Sequence, residues 1–227
     1  MDFLFFREVV SELFHSFSNN LRSEQTLDFL KSTRIPNERE LYGIFIKSLL
    51  ESKLKQELGH IATELQVGRN TDAKGRVDIF FNYRNTSFII EFKVARIGIT
   101  GSNNDNDPDN EEPPLIRITK PWKLDSHGVV SQLSDLEIDS IGHAHDKIVK
   151  MPIVLYLHVD WRNGEPRDKW QDLSAQTHSR IKSTLEHETP PQFNYYSLLE
   201  VPIRTRRRTS DNPMTLYGFT LVASDLK

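Results

Sequence analysis

One short segment, Ser87–Ala95, constrains the fold of this chain more than any other. It reads SFIIEFKVA, with β-branched and aromatic residues on both alternating faces. That pattern belongs to a central strand covered on two sides. Yet Glu91 and Lys93 interrupt it two positions apart, so both project from one face. Buried charges cost several kcal/mol each unless they are paired or bound to a metal. The preceding strand, within Arg76–Tyr83, breaks the same rule with Asp78 in RVDIFF. Only Arg84-Asn85-Thr86 separates the two strands, a hairpin-length connection that would bring Asp78 near Glu91. Two carboxylates held together raise each other's pKa unless a cation sits between them. Few oxygen ligands favour Mg²⁺ or Mn²⁺, which keep open positions for water and phosphate oxygens. A lysine beside such a site can hold a water and neutralise developing charge. The competing reading is a structural ion-pair cluster, because a Glu–Lys pair is ordinary on an edge strand. The apolar neighbours argue against an edge.

Around this pair the chain alternates helices and strands. Phe3, Phe6, Val10, Leu13, Phe14 and Phe17 fall at three- and four-residue spacings and predict a helix over 3–17. A loop through Lys31–Asn37 leads to a long helix over 37–58, with Asn37 as cap, Glu38 and Glu40 in its first turn and Gly59 as its stop. Strands follow at 60–67, 76–83 and 87–95, then a helix over 127–141 and a strand over 148–159 that contains a continuous apolar run. A helix over 174–187 and strands over 194–203 and 216–223 complete the series. The order predicts an α/β fold with a mixed central sheet flanked by helices. No repeat or domain boundary interrupts 1–227, which reads as a single domain with its core at about 35–160 and accessory elements at 1–34 and 161–227.

Composition narrows the chemistry. The chain has no cysteine, which removes disulfides, zinc ribbons, iron–sulfur clusters and thiol catalysis. No apolar run approaches the roughly 20 residues of a membrane span. The amphipathic, acid-bearing start is unlike a secretory signal, so the expected location is the cytoplasm. The net charge of −3 is uninformative, because residues 103–112, NNDNDPDNEE, carry five acids and the remainder stands at +2. That stretch reads as a loop; it lacks the spaced glycine and final bidentate glutamate of an EF-hand. Arg204, Arg206, Arg207 and Arg208 form a basic cluster that reads equally as a solvated turn or a phosphate contact.

Val77-Asp78 followed by Glu91-Phe92-Lys93 resembles the PD-(D/E)xK nuclease superfamily, which has the restriction-endonuclease-like fold. Val77 stands in place of the proline of that signature. Helix, three-stranded meander, helix and strand follow one another over roughly 35–160 in the family's order, and GRVDI looks like its second-strand opening. The resemblance implies a metal-dependent endonuclease that hydrolyses phosphodiester bonds in DNA and leaves a 5′ phosphate. It implies Asp78, Glu91 and the Phe92 carbonyl as ligands of Mg²⁺ or Mn²⁺, Lys93 as the residue positioning water, and Glu38 (Glu40 as fallback) beside the metal. It also implies substrate contacts at Gln132 and Arg76 and a further carboxylate at Glu64, and a homodimer would suit the cutting of paired strands. The alternatives are an RNA-directed nuclease and a non-catalytic nucleic-acid-binding or assembly module on the same fold.

Weaker signals are read structurally. His143 and His145, two apart, fall in a loop rather than on a strand. His60, four residues before Glu64, suggests a histidine-containing variant of the site but lacks the lysine placement that goes with it. Trp122, Trp161 and Trp170 lie near basic residues and could stack on bases, although partial burial is the commoner fate of tryptophan.

Overall fold

The computed structural model describes residues 3–32, 38–67, 75–99, 114–122, 128–136, 147–160, 168–187, 193–206, 213–224 and 226. The acidic stretch 103–112, His143, His145, Trp161, Arg207 and Arg208 lie outside them, as do the side chains of Arg204 and Arg206. Helix α1 (Phe3–Leu21) buries Phe6, Val9, Val10, Leu13, Phe14, Phe17 and Leu21 along one stripe. It packs on α3 (Glu38–Glu51) through small polar residues that allow close approach. Ser16 Oγ donates to the Ser48 carbonyl at 2.8 Å, and Asn20 Nδ2 donates to Ser48 Oγ at 3.2 Å. Between them in sequence comes α2 (Glu24–Ser32), whose first turn is capped by Ser23 Oγ, acceptor for the Thr26 amide.

Among the described residues, six strands form one mixed sheet. They are β1 (Leu58–Val67), β2 (Gly75–Tyr83), β3 (Thr86–Gly98), β4 (Lys147–Asp160), β5 (Phe193–Arg206) and β6 (Pro213–Ser224). Their order is β1-β2-β3-β4-β6-β5, and every neighbouring pair is antiparallel except β3–β4. Central position explains the apolar run of β4. Ile153, Leu155 and Leu157 enter the core under α1–α3, while Val154 and Tyr156 enter the core on the opposite face. That second face is covered by α4 (Pro114–Thr119), α5 (Val129–Ser134) and α6 (Trp170–His187). Ile118, Trp122, Val129, Ile181 and Leu185 pack there. Lys150 Nζ caps α5, donating to the carbonyls of Ser134 and Leu136 at 3.3 and 3.4 Å.

The helix expected over 37–58 is shorter. It ends at Glu51, and a 3₁₀ turn at Lys53–Glu57 follows. Ser52 divides the two: its hydroxyl donates to the Leu49 carbonyl at 2.8 Å and accepts from the Leu54 amide at 3.2 Å. Gly59 is no helix stop but the second residue of β1. A Cβ there would lie 3.1 Å from Cβ of Asn82 on the neighbouring strand, so close approach accounts for the glycine. The helix expected over 127–141 is seen at Val129–Ser134, with 137–141 outside the described residues. The three tryptophans divide similarly. Trp122 is buried with its indole N–H donating to the Tyr156 hydroxyl, and Trp170 lies against the ring of Tyr217.

Candidate active site

The site is built by a hairpin whose closed end is pinned. Arg84 sits in the β2–β3 turn with φ 52°, and its guanidinium grips Glu57 through two bonds, of 3.0 and 2.9 Å. Beyond this turn the β2–β3 register pairs Ile79–Tyr83 with Thr86–Ile90. Past Ile79 and Ile90 the strands part. β2 continues alongside β1 as far as Gly75, and β3 continues alongside β4 as far as Gly98. Asp78 and Glu91 are the first residues beyond the last rung, one on each tine of a fork. A parting strand leaves amides without partners. Asp78 supplies one: its Oδ2 accepts the Phe92 amide at 2.9 Å. The strand also changes aim here, because Val77 packs in the cluster under α5 while Ile79 packs in the cluster under α1–α3. Opposite Asp78, between the pairs Thr63–Ile79 and Leu65–Val77, Glu64 adopts φ 53°. A left-handed conformation costs about 1–2 kcal/mol in a residue with a Cβ.

Charge concentrates at the fork. Asp78 and Glu91 are 4% and 5% exposed. Lys93 Nζ lies 3.1 Å from Glu91 Oε1 and 3.8 Å from Glu38 Oε2. Glu38 reaches this position from the first turn of α3, where its Oε1 accepts the Val94 amide at 3.3 Å. The helix phase therefore brings Glu38 to the site, while Glu40 lies exposed. One turn further along α3, the Tyr42 hydroxyl donates to Asp78. Burial and that bond hold the phenol above its ordinary pKa. Burial, then the Asp78 charge, push the Glu91 carboxyl up to about 7 against the pull of Lys93. Burial lowers the Lys93 ammonium, but Glu91, Glu38 and Asp78 outweigh it and hold it above the usual lysine value. Lys93 is thus a cation at neutral pH, not a base.

A folded-state pKa raised in a carboxyl means that the native protein binds the extra proton. The contribution of Glu91 to stability is therefore present below its unfolded value of 4.5 and lost as pH rises to about 7. Metal-free wild type should lose a few kcal/mol relative to a Glu91→Gln variant across that window. Paired urea titrations at pH 4.5, 6 and 7.5 measure it; parallel pH profiles for the two proteins would contradict the assignment. A cation held by Glu91 would have to displace the proton, so any Mn²⁺ affinity would rise with pH and level off above about 7.

The other expected residues divide. Phe92 sends its side chain into an aromatic cluster with Phe17, Tyr42 and Phe45 at ring separations of 6.4, 6.4 and 6.1 Å. Gln132 is half-buried on α5, and its Oε1 makes no hydrogen bond among the described residues. Arg76 is exposed, with Nη1 3.6 Å from Glu64 Oε1, and Arg39 Nε meets the same oxygen at 2.9 Å. Glu64 is thus occupied by two arginines rather than by the acid pair. His60 lies exposed against the Phe80 ring. Tyr42 and Arg39 escaped the sequence reading. Tyr42 could have been found four residues after Glu38 on one helix face; nothing in the sequence marks Arg39. Elsewhere, His158 is fully buried between Ser174 Oγ at 2.6 Å and Thr220 Oγ1 at 2.8 Å, and burial holds it neutral by lowering its pKa to about 3.

Among the described residues no group of three or more histidine, aspartate or glutamate side chains forms a ready metal cage. The donor set at the fork is smaller: two buried carboxylates that repel each other. This suits Mg²⁺, commonly held by one or two carboxylates with waters completing its shell. Burial first, and the Asp78 charge second, raise the Glu91 pKa in this setting. Neither a family model nor a curated protein matches the chain.

Proposed function

We propose that the chain is a Mg²⁺- or Mn²⁺-dependent nuclease of the PD-(D/E)xK type, on a restriction-endonuclease-like fold, hydrolysing phosphodiester bonds in DNA in a microbial cytoplasm. The observation that carries this reading is the fork itself. It buries Asp78 and Glu91 together, with Lys93 3.1 Å from Glu91 and Glu38 closing the far side. Three carboxylates face one ammonium, and a divalent cation would balance them.

Asp78 and Glu91, with the Phe92 carbonyl, would hold the metal, which when bound would supply a Lewis acid for the phosphoryl oxygens and acidify water. The rest of the chemistry falls to the chain. Lys93, fixed by Glu91 and Glu38, orients a water for in-line attack, and its positive charge offsets the negative charge gathering on the phosphoryl group. The water gives up a proton to solvent and its oxygen bonds to phosphorus as the bond to the 3′ oxygen breaks, leaving a 5′ phosphate. The departing oxygen takes up a proton from solvent. Glu38 and Tyr42 act as positioning residues, the first through Lys93 and the Val94 amide, the second through Asp78.

Incubating the protein with plasmid, single-stranded DNA and RNA, each in Mg²⁺, Mn²⁺ or EDTA, tests the reading. The expected result is metal-dependent cleavage of DNA that disappears in Asp78→Ala and falls by roughly 10²–10³ in Lys93→Ala. Cleavage that survives both substitutions would sink the proposed site. Cleavage confined to RNA would replace the substrate, and binding without cleavage in any metal would make the protein a binding module.

A further inference from the structure

A site dominated by carboxylates repels a polyanion, so a nuclease of this kind needs cations at its rim. Three side chains beside the fork have the required arrangement. Glu64 faces Asp78 across the β1–β2 pairing, Arg76 precedes Asp78 by two residues, and Arg39 follows Glu38 on α3. Both arginines converge on one oxygen, Glu64 Oε1, at 2.9 Å from Arg39 Nε and 3.6 Å from Arg76 Nη1. All three are open to solvent, with side chains 65% (Arg39), 46% (Arg76) and 40% (Glu64) exposed. Glu64 takes its place at the expense of backbone strain, with φ 53°. An exposed ion pair contributes little to stability, so fold maintenance is a weak reason for that strain. Guanidinium groups bind phosphate oxygens in the same planar, forked fashion as carboxylate oxygens.

We infer that Arg39 and Arg76 form a backbone-phosphate clamp at the rim of the acid pair, and that the Glu64 carboxylate occupies it until a phosphate of the incoming strand takes its place. The inference rests on the nuclease reading only in taking a nucleic-acid strand as the ligand. Glu64 then tunes affinity by competition, and the two arginines bind without regard to sequence.

The test is fluorescence anisotropy of the full chain with a labelled 20-nucleotide strand and its duplex, in EDTA, over a salt series. Arg39→Ala/Arg76→Ala should weaken binding roughly tenfold per arginine at 0.1 M salt and flatten the log–log salt slope by about two. Glu64→Gln should tighten binding several-fold, and Glu64→Gly, which also relieves the strained φ, should do the same. Unchanged affinity and slope in the double variant, or no binding by wild type, would overturn the clamp. Cleavage assays in Mn²⁺ on the same proteins keep the two proposals apart. Binding lost with the arginines in a protein that never cleaves supports the clamp and removes the nuclease. Cleavage by a double variant that binds normally does the reverse.

Discussion

Asp78→Asn is expected to abolish metal-dependent cleavage while raising the thermal stability of the metal-free protein. Asparagine keeps an oxygen that can accept the Phe92 amide, so the fork retains its internal bond. What it removes is one of two like charges buried side by side. Relieved of that charge, Glu91 returns toward the ordinary carboxylate range, and its desolvation is no longer compounded by repulsion. A gain of about 1–2 kcal/mol is the scale expected for undoing such functional-site frustration. In a chain of 227 residues each kcal/mol moves Tm by roughly 2–4 °C. Millimolar Mn²⁺ should raise the Tm of wild type and leave that of the variant unmoved, since only wild type presents the acid pair. Thermal scans with and without Mn²⁺ decide the matter: a variant of lower Tm that still responds to Mn²⁺ would show that Asp78 serves the fold alone.

Lys93→Ala separates two roles that an acid–base cluster can confuse. Removal of a fixed cation from a site of developing negative charge lowers rates by roughly 10²–10³. Metal affinity should not fall with it. Lys93 competes for Glu91 Oε1 at 3.1 Å, and its loss frees that oxygen. The expected pattern is a collapsed kcat with an unchanged or tighter Mn²⁺ dependence, read from turnover against metal concentration. If metal binding and turnover fell together, Lys93 would be a structural counter-ion for Glu91.

The sheet was legible because its strands carry their burial in their composition. Arg76–Tyr83, Ser87–Ala95 and the strand expected over 148–159 all lie within observed strands, and a hairpin-length turn suffices to bring Asp78 near Glu91. Strand order was not. That β6 lies between β4 and β5 depends on which edge accepts the returning chain, and no local pattern encodes it. Helix ends were misread where a serine intervenes. Ser52 offers its hydroxyl to backbone groups on both sides and ends α3 well before Gly59. Helix α2 went unseen although Ser23, Glu24 and the Leu27–Leu30 spacing mark it. In the site, residue types were readable and their partners were not. Bonds from Asp78 to the Phe92 amide and from Glu38 to the Val94 amide arise because two strands diverge, and divergence leaves no trace in periodicity.

That divergence has a consequence for motion. β2 is laced to β3 only over Ile79–Tyr83, whereas β3 and β4 are laced along Thr86–Gly98 and Lys147–Val159. Asp78 therefore belongs to a β1–β2 flap that meets β3 over fewer rungs than β3 meets β4, and Glu91 and Lys93 belong to the longer-paired part of the sheet. Segments held by fewer rungs open at lower free energy, so amide protons of Gly75–Asp78 should exchange with solvent faster than those of Glu91–Val94. A divalent ion gripping both acids would rivet flap to frame, and Mn²⁺ should slow exchange in Gly75–Asp78 far more than in β4. The separation of the two carboxylates would then fluctuate until the metal arrives, and the catalytic centre would complete itself by stilling its own sheet.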